Sequence, residues 1–86
     1  MIKLLGTEAA LGTATGTASA FGNAKTVRLV NTTANAHLVT LEQADGTDIG
    51  TMTLAGGESV VIHKNPTDKL FAANAGVKGA AVGFSH

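Results

Sequence analysis

The chain has 86 residues, no cysteine, and six basic against six acidic side chains, for a formal net charge of +0. This composition excludes a disulfide-stapled scaffold, and it leaves no concentrated basic surface of the kind that neutralises nucleic-acid phosphates. Only 14% of residues are charged, which is sparse for a free-standing domain, and a chain this short buries only about 60–65% of its unfolded surface, so oligomerisation or a metal is the remaining route to extra stability.

The opening residues "MIKLLG" suit a short strand with Ile2 and Leu4 on one face. Their apolar run falls short of the roughly 7–15 residues of an export signal. No apolar run approaches the roughly 20 residues of a bilayer span, so no membrane association is expected. From Thr7 to Ala24 the text is "TEAALGTATGTASAFGNA". Gly12, Gly16 and the threonines oppose a helix, and Leu11 and Phe21 do not recur at helical spacing. The segment is expected to be an extended arm or short edge strands, so residues 1–24 are set apart from a β-sandwich domain over residues 25–86. Its Thr-rich pattern also suits pairing with another chain, and the arm is expected to serve attachment rather than the core.

Beyond Lys25 the period-two pattern of half-buried strands is clear. "TVRLVN" sets Val27 and Leu29 against Arg28 and Val30, and "HLVTLEQ" sets Val39 and Leu41 against Thr40 and Glu42. The polar "TTANA" between them is a turn. The "NTT" at Asn31 formally matches a glycosylation acceptor, a chance match where no secretory signal accompanies it. In "ADGT", Gly46 supplies the positive φ of a hairpin turn and Asp45 tolerates the same region. "DIGTMTL" is the returning strand, where a bulge at Gly50 is expected to turn both Ile49 and Met52 inward. "AGGE" turns the chain once more, and "SVVIHK" places Val60 and Ile62 opposite Val61 and His63, which together predict a β-meander. Pro66 in "NPTD" stops a strand. "KLFAANA" and "VKGAAVGFS" follow as two strands around Ala75–Gly76. In the last, Lys78, Ala80, Val82 and Phe84 share one face, while Val77, Gly79, Ala81 and Gly83 share the other and leave a smooth strip for another backbone. Short strands at about ten-residue spacing predict an all-β fold, a small antiparallel β-sandwich or barrel-like meander with an extended N-terminal segment.

Reactive chemistry is scarce on this scaffold. His37, His63 and His86 lack the spacing of a zinc site. His37 and His63, which a sheet could bring together, are expected to be exposed on strands, and His86 is the last residue, expected to be mobile. Ser59 lies in a strand, and Ser19 and Ser85 in loop-like text, which does not fit a nucleophile held before an oxyanion hole. Asp45 and Asp48 flank a hairpin tip, where turn chemistry explains them better than the buried acid of a glycosidase or a calcium loop. Gly12, Gly16 and Gly22 form no phosphate cradle. Phe21, Phe71 and Phe84 are the only aromatic side chains, too few to stack sugars or bases and suited to packing. No catalytic, cofactor-binding or metal residue is assigned, no cofactor is expected, and the chain is not expected to be an enzyme. A host-surface or glycan-binding module is the alternative class, which an aromatic groove would favour.

The run from Val27 to Ala72 resembles a family of small virion proteins of tailed bacteriophages, of the marine and cyanobacterial type. The resemblance rests on "VRLVNT" (Val27–Thr32), "VTL" (Val39–Leu41), "GTxIGTxTL" (Gly46–Leu54) and "KxPTDxLxA" (Lys64–Ala72), and it covers just over half of the chain. It implies a β-sandwich component of the virion, made in the host cytoplasm. The implied role is a capsid decoration or cement protein bound across capsomer seams, or else a small tail component. The implied partner is the major capsid protein or another virion protein, with no nucleic-acid or membrane partner, and a homo-oligomer, a trimer above all, is the expected form.

Overall fold

Among the described residues of the computed structural model, residues 2–84, eight strands form two antiparallel sheets facing each other across one apolar core. They are β1 (Ile2–Leu4), β2 (Ala9–Ala10), β3 (Thr26–Asn31), β4 (His37–Glu42), β5 (Asp48–Leu54), β6 (Ser59–His63), β7 (Lys69–Ala72) and β8 (Val77–Phe84). The larger sheet runs β1-β8-β3-β6, with β2 also paired to β8, and the smaller runs β5-β4-β7. This is a small β-sandwich. Strand alternation builds its core: Val27, Leu29, Val39, Leu54, Leu70, Ala72 and Val77 are each no more than 2% exposed. A fully buried Val or Leu contributes roughly 1.5–3 kcal/mol, so these few side chains carry most of the stability of so short a chain.

The expected meander is not what forms. Among the described residues the tight hairpin is β4–β5, and β6 leaves that sheet to pair with β3, Val27 lying opposite Ile62. The physical reason lies in the "AGGE" turn. The N–H of Gly57 donates to the carbonyl of Asn31 (2.9 Å), and the N–H of Asn31 donates to that of Glu58 (3.0 Å). The end of β3 therefore grips the turn and steers the chain across the core. The β3–β4 and β7–β8 connections cross in the same way. These three connections meet at one end of the sandwich around Asn31, which is fully buried. Its amide nitrogen donates to the carbonyls of Asn35 (2.8 Å) and Leu54 (2.9 Å), and its side-chain oxygen accepts from the N–H (2.9 Å) and hydroxyl (2.7 Å) of Thr33. An amide used at both ends and sealed from solvent is a structural joint, not a glycan acceptor in the folded chain.

The hairpin tip follows the sequence closely. Gly46 has φ +91°, and its N–H donates to the Gln43 carbonyl (2.9 Å). Asp45 does not share the left-handed region; its carboxylate instead accepts from the N–H of Thr47 (2.9 Å). The bulge is displaced by one residue from Gly50. Leu41 pairs with Gly50 and Glu42 with Asp48, so Ile49 is the unpaired residue. It does not turn inward: Ile49 is 49% exposed, while Met52 is half-buried.

The N-terminal segment supplies edge strands, but it also belongs to the core. β1 and β2 lie along β8, and the backbone then crosses to the smaller sheet. Ala72 donates to the Gly12 carbonyl (3.0 Å), and Ser19 and Leu70 exchange backbone hydrogen bonds (3.0 and 2.8 Å). Leu11 is wholly buried between the sheets. The glycine face of β8 is what admits it. A Cβ at Gly79 would lie 2.9 Å from the Phe21 ring, 3.0 Å from Leu11 and 3.1 Å from Leu29. The smooth strip is thus filled by side chains of this same chain, and the packing runs across the boundary drawn at residue 24. Phe21, Gly22 and Asn23 all have positive φ (54°, 66° and 61°). A left-handed turn costs roughly 1–2 kcal/mol for each residue bearing a Cβ, and what offsets it here is the Phe21 ring seated over Gly79.

Candidate functional site

The residues that carry chemistry do not converge. His37 sits half-buried on β4 opposite Leu54, and His63 is exposed on β6, where its ring nitrogen meets the Thr26 hydroxyl at 3.4 Å. The two belong to different sheets and to opposite ends of the strands. Ser59 is exposed opposite Val30, and the Ser19 hydroxyl accepts from the N–H of Phe21 (3.1 Å). Asp45 and Asp48 are exposed at the hairpin. The Thr47 N–H holds the Asp45 carboxyl below its ordinary value, as turn chemistry requires. Phe71 is half-buried on β7, and Phe84 ends β8. Ser85 and His86 lie outside the described residues. Among the described residues no three of His, Asp and Glu gather closely enough to hold a metal ion, and no helix is long and apolar enough to cross a membrane.

Three charged side chains, Glu42, Lys64 and Asp68, are buried without a signal in strand alternation or turn chemistry. Glu42 was expected on a solvent-facing side with Thr40, yet Glu42 is fully buried and Thr40 is only 5% exposed. In register Glu42 lies between Asp48 on β5 and Lys69 on β7, and neither of its carboxylate oxygens has a hydrogen-bond partner within the protein. Lys64 is the second, placed by the "NPTD" loop. Its ammonium donates to the carbonyls of Asn65 (3.3 Å) and Pro66 (3.1 Å). Burial lowers its pKa from 10.5, and the nearby Asp68 opposes that shift. The pattern gives no sign of this burial, because both strand alternation and a Pro-bearing turn ordinarily put such side chains in water.

The surface feature that stands out is an asymmetry between the two flanks of the sandwich. On one flank the crossing segment from Ala9 to Ser19 closes the gap between β8 and β7. On the other, no strand among the described residues pairs with the outer edge of β5 or of β6. Behind those edges an apolar gap of about 240 Å³ opens between the sheets, lined by Val39, Leu41, Met52, Ile62 and Leu70 with Gly50 and His63 at its rim. Gly50 was the one signal of it in the sequence, a glycine inside a strand. A Cβ added there would meet nothing within 4 Å. Such a gap lies below the roughly 300–1,000 Å³ of small-molecule sites and suits a protein side chain better than a free ligand. The chain matches no known protein family, no curated protein and no solved structure.

Proposed function

We propose that the chain is a structural protein of a tailed-bacteriophage particle, acting as a capsid decoration protein that binds across seams between capsid subunits. The observation that carries this reading is the resemblance over Val27–Ala72, whose four motifs fall on β3, on β4, on the β4–β5 hairpin with β5, and on the Lys64–Asp68 loop with β7. Those elements are the framework of the sandwich. The likeness is therefore one of scaffold, as befits a protein that works through shape and area. Exposed apolar side chains are available for contact: Leu4 (73% exposed) and Leu5 (59%) beside β8, and Leu38 (45%) on β4. The accessible surface, 4733 Å², is close to the roughly 4,700 Å² of a compact monomer of this mass, so a rigid domain can be delivered ready-folded to its partner. In this reading the partner is the major capsid protein.

The test is to purify particles produced from the genome that encodes this chain and to reconstruct them by electron cryo-microscopy. The expected result is density for the sandwich in many copies on the head. Density confined to the tail moves the role to a tail component. Absence of the chain from purified particles by mass spectrometry overturns the proposal.

A further inference from the structure

The open flank combines a free strand edge with an unfilled apolar gap, and the geometry points to one occupant for both. We propose that two copies of the chain pair β5 against β5 about a two-fold axis through Thr51, so that their open flanks meet and the two gaps merge into one enclosed core.

The register makes the case. In an antiparallel pair centred on Thr51, Gly50 of each copy lies opposite Met52 of the other. Gly50 has open space where a side chain would stand, and Met52 is only half-buried at the rim of its own gap. The two-fold therefore sets a flexible apolar side chain against a vacancy twice over. A methionine fills such irregular space readily. Asp48, the charged residue of β5, lies beyond the bulge at Ile49 and away from the axis, so it does not face its own copy and no like charges meet. From Gly50 to Leu54 the edge carries no charge and no proline, two of the usual means by which a strand edge is kept from pairing, and the third, the bulge at Ile49, lies just before this stretch. The area available is at the threshold of a specific contact. The chain measures 34 × 31 × 19 Å, so a flank presents at most about 600 Å² and a flank-to-flank pair at most about 1,200 Å², the lower bound of specific interfaces. A reversible dimer follows, with two-fold symmetry in place of the trimer expected from the sequence.

The inference does not depend on the particle reading, and its test uses the purified protein alone. With no native cysteine, Thr51→Cys places a single thiol on the proposed axis. Directly opposed residues of paired strands have Cβ atoms about 4.5–5.5 Å apart, which small adjustments bring to disulfide geometry. The expected result is that Thr51→Cys oxidises to a covalent dimer at least about tenfold faster than Leu38→Cys, an exposed control on the same sheet. Sedimentation of the unmodified chain is expected to show a concentration-dependent dimer. Thr51→Lys, which opposes two like charges at an exposed position, is expected to return it to monomer with its circular dichroism unchanged. Equal oxidation rates at the two cysteines, a monomer at millimolar concentration, a trimer, or a dimer untouched by Thr51→Lys would each overturn the proposal.

Discussion

The two flanks of this sandwich face the same physical problem and meet it differently. Each leaves an apolar slot between the edges of two sheets. On the β7–β8 side the chain fills the slot with its own residues, paying out an extended Ala/Gly/Thr-rich stretch with one large anchor, Leu11, and laying Phe21 over Gly79. On the β5–β6 side nothing of the kind is present among the described residues, and Met52 and Ile62 remain half-buried. The difference separates two uses of the same architecture. A filled flank adds stability, whereas an open one reserves apolar area for association.

If that comparison holds, the largest effect comes from the closed side. Leu11→Ala should cost about 2–5 kcal/mol in chemical denaturation, from a domain holding on the order of 5 kcal/mol in all. A loss below about 1 kcal/mol would mean that the crossing segment merely lies on the core. Next comes the hairpin that sets the register of the open edge. Gly46→Val forces a β-branched residue to φ +91° and should cost about 1–3 kcal/mol, read as a lowered Tm. A silent change there would show that the turn tolerates another backbone path. Glu42→Met should act in the opposite direction. Replacing a buried carboxylate that has no partner with an apolar chain of similar length should raise stability by about 1–3 kcal/mol, and a fall would reveal a role for the charge. Met52→Ala, on the open flank, should cost less than about 1 kcal/mol in dilute monomer, because its side chain is already half in water. A cost equal to that of Leu11→Ala would erase the distinction between the flanks.

The smallest expected effect is one of pH. Burial lowers the Lys64 pKa from 10.5. Between the lowered folded value and 10.5 the unfolded chain holds more protons than the folded one, so stability contributed at this site rises with pH across that window. Lys64→Met should flatten the rise in a series of denaturation curves. A slope unchanged by the substitution would show that Lys64 does not titrate with folding.

How far the sequence could be read depended on whether the deciding interaction was local. Val27, Leu29 and Val39 announced themselves by alternation, and Gly46 by its turn, because each of these follows from a few neighbouring residues. The sheet partner of each strand did not. "AGGE" has the composition of a hairpin turn, and only the grip of Asn31, 24 residues before Ala55, makes it a crossing. Leu11 was missed for a similar reason: its burial depends on a glycine at position 79, far along the chain. The open flank was legible only as Gly50, a strand glycine that suggested a bulge rather than a gap. Glu42 left no trace at all, since its burial runs against its alternation pattern.

The crossing segment also fixes an order of events during synthesis. Ala9 and Ala10 find their partners at Gly79 and Lys78, and Gly12 finds its own at Ala72. Residues 9–21 leave the ribosome before the strands they pack on and are therefore among the last to settle, with Leu11 and Phe21 uncovered until residues 70–81 have followed. Such long-range closure is slow compared with local pairing, and the β4–β5 hairpin can form well before it. A nascent chain halted short of β8 would hold a formed hairpin and an unclaimed apolar anchor, a state prone to aggregation. Completion of β8 is thus the step that commits this chain to its fold.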